Sequence, residues 1–317
     1  MTLADFLTLD LPPLVAALLA GGTCGLLGSF LVLRRESLIG DALSHAVLPG
    51  IVLGFAITGA RAGLPMLVGA MIAGLAAVAL IGLVQKAARL DPGAAIGAVF
   101  TTFFAVGLVL LEVTGARSVD LDLDCVLFGQ LETLVWTQGT SLSALTDPAA
   151  LAALPRQLGL MAGVAAAVGL AVALFWRPIK LVCFDPAYAQ ALGLPARAIE
   201  LGLALLVAAA AVAAFEAVGS ILVVAMLVCP AAALRLMTDR YTVQVLGGAA
   251  LGAGLGAVGY ALAGPVPAAL GLSVSLNAAG VIGTLGGLLV AVAALAPDPR
   301  RRARRSGESA APTTSGA

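Results

Sequence analysis

Long apolar runs separated by short polar connections, with no regular alternation between the two, set the pattern of this chain. Runs near 13–33, 41–59, 63–84, 95–113, 157–175, 198–215, 219–237, 243–263 and 274–295 each read as a helix, and about 20 residues of helix cross a hydrocarbon core. The pattern predicts an all-α polytopic membrane protein with eight to nine transmembrane helices. The count turns on 198–237, which reads as two spans or as one span and a broken or re-entrant helix around Glu216 to Ser220. Irregular backbone at that depth is tolerated where protein or a water-filled cavity surrounds it. The division that follows is an outer N-terminal segment over 1–12, a transmembrane domain over 13–296, and a disordered basic cytoplasmic tail over 297–317.

Two further stretches stand out. The connection from Thr114 to Arg156 carries Asp120, Asp122, Asp124 and Glu132 around an apolar stretch that ends at Trp136 and is too short to span. It reads as an interfacial or re-entrant helix with Trp136 at the headgroup level. Gly248, Gly252 and Gly256 recur every four residues, which puts small residues on one helix face and lets a second helix come close.

Composition agrees with the pattern. The chain is 61% hydrophobic and 11% charged, against about 45–50% and about 25% in soluble domains. Most of its surface therefore faces lipid or protein, there is no room for a second, soluble domain, and no basic surface calls for nucleic acid. With the N-terminus outside, nine spans leave all but Arg61, Arg117 and Arg156 of the 17 Lys and Arg residues on the inner side, as the positive-inside rule requires. That orientation describes a multi-pass protein of the cell (inner) membrane whose tail arginines lie against anionic lipid. Only Asp5 and Asp10 are charged before Arg34, so a cleavable signal with a basic leader is not expected. Cys24, Cys125, Cys183 and Cys229 form no CxxC pair and read as small buried side chains.

In so apolar a chain the ionisable residues inside spans carry the chemical information, because each is costly in lipid and normally faces a pathway. His45, the one histidine, follows Asp41 by four residues, which places both on one helix face. Counted from the Arg34–Arg35 anchor at about 1.5 Å per residue, His45 falls near the bilayer middle. An imidazole with a carboxylate suits borderline divalent ions such as Zn, Mn or Fe. The same spacing also serves a plain hydrogen bond between the two, or to a neighbouring helix. Glu216 reads either as a path residue or as a satisfied turn carboxylate, and Glu112 and Glu200, near span ends, as side chains that snorkel to the interface.

The string RRESLIGDALSHAVLPG over residues 34–50, and within it GDALSHAVLPG, resembles the signature of the permease subunits of the manganese, zinc and iron ABC importers. VDLDLDCVLFGQLETL, DPAYAQALGLP and FEAVGSILVVAMLVCPAAALRLMTDR also look like that family's segments, in its order and spacing, so that the resemblance covers all but the termini. It implies a fold like the vitamin B12-permease type of ABC importer, with two permease subunits around a central path. Asp41 and His45, with Glu216 as a further candidate, would then contact a divalent metal ion that is cargo, with no permanently bound cofactor. Partners would be a cytoplasmic ATP-binding subunit, an extracytoplasmic metal-binding protein and a second permease subunit, the same chain or a paralogue. Segments like the family's ATPase-facing surfaces are 230–241, with Pro230, Arg235, Asp239 and Arg240, and 185–195, with Asp185 and Gly193.

Energy has to come from another chain, because a Walker A loop needs glycines ahead of its lysine and the two lysines lie in GLVQK and WRPIK. An ion-coupled secondary carrier would use Asp41 and His45 as a proton relay. A siderophore or B12 permease would not need DALSH. An intramembrane enzyme has neither HExxH nor GxSxG to work with.

Overall fold

The computed structural model describes residues 3–58, 63–114, 131–271 and 276–296, and every regular element among them is helical. The principal helices in chain order are α1 Leu11–Leu33, α2 Ser37–Ala46, α3 Leu48–Thr58, α4 Gly63–Ala88, α5 Pro92–Val113, α6 Arg156–Leu174, α7 Trp176–Phe184, α8 Pro186–Ala191, α9 Ala196–Val218, α10 Ser220–Met237, α11 Tyr241–Ala263 and α12 Ala278–Leu295. Seven of the described helices have the length and apolarity to cross a membrane, and Leu48–Thr58 and Leu222–Met237 are shorter apolar helices. Nine apolar segments thus stand where the sequence places nine. Helix begins earlier than the Pro13 expected: Leu3–Asp5 and a π-helical turn at Phe6–Asp10 lead into α1. The tail lies outside the described residues.

Two expected spans are not simple rods. The run at 41–59 is divided between α2 and α3 at Val47. Pro49 explains the division: it has no N–H to give the His45 carbonyl. That carbonyl takes the Val47 N–H instead, while proline itself is at ease in the first turn of α3. At 198–237, α9 and α10 meet at one residue, Gly219, whose φ of 82° and ψ of 163° turn the chain without a loop. Ala217, Val218, Leu222 and Val223 around it have no exposed surface, so this is an internal hinge.

The centre of the bundle is the antiparallel pair α1 and α11. A Cβ added at Gly21 or Gly25 would collide with the carbonyl oxygen of Gly252 or Gly248. The glycine face foreseen from 248, 252 and 256 therefore meets a matching face on α1. Lipid tails give helices no hydrophobic reason to associate, so close packing and interhelical hydrogen bonds must hold them. Both are here: Ser29 Oγ donates to the Gln244 carbonyl at 2.9 Å, and Gln244 Nε2 donates to the Ala231 carbonyl of α10 at 2.8 Å. Gly28 brings α10 equally close, against the Leu227 carbonyl.

At the end of the bundle where α1 begins, the described part of the long connection folds inward. Trp136 has no exposed surface. Its indole N–H donates to the Ala150 carbonyl at 2.8 Å, and its backbone N–H donates to Thr8. Both polar groups are satisfied by protein, which removes the reason for a tryptophan to sit where water is. Glu132 accepts the Ala278 N–H at the start of α12 (2.8 Å), and Tyr260 donates to Asp10 (3.0 Å). Residues 115–130, with Asp120, Asp122, Asp124 and Cys125, lie outside the described residues.

Candidate metal path and coupling surface

Asp41 and His45 sit on α2, the half-helix that Pro49 ends. α2 is a wedge: Ala42 and Ala46 pack with Ala77 and Ile81 of α4 and with Ile96 and Val99 of α5, while Leu43 and Val47 face Gly74 of α4 and Ala208 of α9. The imidazole of His45 lies half-buried beside α5, with its ring centroid 5.5 Å from both the Phe100 and Phe104 centroids, tilted by 45° to the first and edge-on at 74° to the second. His45 is in the last turn of α2, where the helix dipole presents its negative end and favours a cation.

The side chains of Asp41 and Glu216 lie outside the described structure; their backbones are in it. Asp41 is one turn before His45. Glu216 is in the last turn of α9, at the Gly219 hinge, about 12 Å of helix beyond Ala208, which is the residue level with Val47. The structure therefore sets the Asp41 backbone one helical turn before His45 and the Glu216 backbone further along the bundle. Among the described residues no three His, Cys, Asp or Glu side chains gather.

At the other end, rich in basic residues, the helix that leads into one of the two segments singled out as ATPase-facing meets the other at Tyr241. Tyr241, first residue of α11, meets Trp176 at 4.9 Å and Phe184 at 6.0 Å between ring centroids, and Lys180 Nζ lies 5.5 Å over its ring. This cluster docks α7, and with it α8, beside the α10–α11 turn. There Arg235 pairs with Asp239 at 3.0 Å, both partly exposed, and Arg240 is exposed. Asp185 is the N-cap of α8, accepting from Tyr188 N at 2.8 Å, and Gly193, with φ 80°, ends that helix in the left-handed region. Those two shape the elbow, whereas Tyr188 and Leu192, more than half exposed, are what it displays. Pro230 is buried inside α10 and displays nothing.

Sequence reading missed a clasp here. Arg34, 14% exposed, holds Glu36 at 2.8 Å and Glu200 of α9 at 3.3 Å. Burial works against its charge, but the hydrogen bond with Glu36 and the fields of Glu36 and Glu200 outweigh it and leave its pKa raised. Glu200 is therefore a partner across the bundle and not a side chain reaching only for the interface; nothing local links residues 34 and 200. Cys183 lies beside the clasp, and burial pushes its thiol up to about 11, so it stays protonated, in keeping with a packing role. The Phe100–Phe104 pair was also missed, since aromatic residues in an apolar run carry no mark of what they face.

A bundle of apolar helices, two of its crossings broken within the protein and one break beside an ionisable pair, is the architecture of a multi-pass membrane transport protein. The chain belongs to the ABC 3 transport family, which matches residues 9–146 and 149–295. It is 39% identical over 232 residues, 73% of this chain and 70% of the relative, to the manganese transport system membrane protein MntC of Halalkalibacterium halodurans. It is 38% identical over 215 residues, 68% of this chain and 56% of the relative, to the zinc transport system membrane protein TroD of Treponema pallidum. Among solved structures, PsaBC from Streptococcus pneumoniae in complex with Fab superposes with a TM-score of 0.71 at 26% identity, covering 93% of this chain and 94% of that one.

Proposed function

We propose that this chain is the membrane-spanning permease subunit of an ATP-binding cassette importer that carries divalent transition-metal ions, with manganese, zinc or iron as cargo. The observation that carries the reading is the family match over nearly the whole chain, with relatives named for manganese and zinc transport. The site supports it. Asp41 would offset the cost of stripping water from a divalent cation, His45 would offer a nitrogen that suits borderline ions, and the carbonyl end of α2 adds partial negative charge. Glu216 would act at the Gly219 hinge, at a different level of the path. His45 is only half-buried, beside α5, which fits a path completed by a second permease subunit. ATP hydrolysis is assigned to a separate cytoplasmic subunit that meets the α8 elbow and the α10–α11 turn, and delivery to an external metal-binding protein.

The test is uptake of radiolabelled manganese and zinc by vesicles carrying the complete transporter, with ATP supplied inside or withheld. Asp41→Asn and His45→Ala are expected to abolish ATP-dependent uptake while the protein still inserts and binds its ATPase. Uptake that ignores ATP and follows a proton gradient would turn the reading to a secondary carrier. Near-normal uptake by both variants at equal membrane levels would leave the pair as packing residues.

A further inference from the structure

We propose that Phe100 and Phe104 are positioning residues for His45: they hold its imidazole in one orientation and thereby set the affinity of the path for its ion without touching the ion. The inference rests on the reading of His45 as an ion contact. The two phenylalanines are four residues apart on α5, with ring centroids 6.5 Å from each other and each 5.5 Å from the imidazole, so the three rings form a closed triangle. Offset and edge-on contacts at such distances are the favoured geometry for aromatic rings.

The placement is more than chance packing in an apolar bundle, because α5 packs along both α2 and α3 and so bridges the break at Val47. Phe100 packs with Ala42, Ala46 and Ile81 on the α2 side of that break, and Phe104 with Leu48, Val52 and Phe55 on the α3 side. The turn before His45 limits its rotamers from within the helix but leaves the outward side of the ring to be confined by its neighbours. The two rings on α5 supply that confinement from outside. An unconfined imidazole must give up rotamer freedom each time it binds an ion, and one already confined does not.

The chain has a single histidine, so its imidazole is observable alone. The experiment labels histidine with carbon-13 and nitrogen-15 in untagged protein and records the ring-proton signals for the parent, Phe100→Met, Phe104→Met and the aromatic control Phe100→Tyr. In parallel, the concentration dependence of manganese uptake is measured for the same variants and His45→Ala in the complete transporter. The parent signal should show the ring-current displacement of flanking aromatic rings. Each methionine variant should move it towards the value of a free imidazole and raise the half-saturating manganese concentration about 3–10-fold, with the saturated rate retained. Phe100→Tyr should keep both at parental values.

An unmoved ring signal, or an unchanged half-saturation in the methionine variants while His45→Ala is inactive, overturns the clamp alone. Full uptake by His45→Ala overturns the role given to His45 itself. Should Phe104→Met fail to accumulate, Phe100→Met decides the matter by itself.

Discussion

A single methyl group separates two kinds of glycine in this chain. At Gly28 a Cβ would run into the backbone carbonyl of Leu227, which cannot move without shifting α10; at Gly163, exposed on α6, a Cβ meets nothing within 4 Å. Gly28→Ala is therefore expected to cost about 1–3 kcal/mol by overpacking, whereas Gly163→Ala is expected to gain up to about 1 kcal/mol of helix propensity. Thermal unfolding of the two variants in one detergent reads the difference directly, and equal shifts would contradict the close α1–α10 contact. The same divide governs what was legible at this scale. His45 and Asp41 were visible because charge in an apolar run is rare and costly. Gly28, Phe100 and Phe104 were not, because a residue that matters for what lies across from it looks the same in sequence as one facing lipid. Arg34 was visible only as an anchor, since its partner Glu200 belongs to a helix far along the chain.

Among the elements, the broken ones are the informative ones. Gly219 holds φ 82° and ψ 163°, a region essentially closed to residues with a Cβ, where occupancy costs on the order of 1–3 kcal/mol. Its buried neighbours leave no slack for relaxation. Gly219→Ala should lower the unfolding temperature and the uptake rate together, while Gly202→Ala on the same helix, with open space around it, should leave both near parental values. A Gly219→Ala protein with parental stability would mean that the hinge is not held in this conformation. Sequence gave the hydropathy of 198–237 and the ambiguity of its middle, but one glycine among 38 does not announce that it turns a chain within one residue. The break at Val47 was nearer to view through Pro49. Hydropathy averages across a proline, however, and so 41–59 read as one span.

On the scale of the whole molecule, apolar run lengths and the placement of basic residues were enough for class and span count, because both follow from the solvent. Which helices touch was not legible, since it depends on small-residue faces that match in pairs. Trp136 illustrates the limit: nothing in its sequence neighbourhood says that a folded segment buries it, with its indole N–H on the Ala150 carbonyl. The basic end carries the prediction for assembly. Arg235 and Arg240 frame the α10–α11 turn, so replacing both with Glu should sharply reduce co-purification of the proposed ATPase subunit while the thermal stability of the bundle is kept. Undiminished co-purification would move the contact elsewhere, to the Tyr188–Leu192 face of the α8 elbow first.

The α1–α11 pairing also has a meaning in time. A ribosome delivers α1 well before α11, yet the carbonyl across the bundle that Ser29 finds belongs to Gln244, 215 residues later, and Glu132 waits for the Ala278 N–H, 146 residues later. Until those partners arrive, α1 rests in the bilayer with its glycine groove open to lipid or to whatever escorts it. An early helix is thus covered only by a late one, and a chain cut short before α11 leaves that glycine groove without its partner.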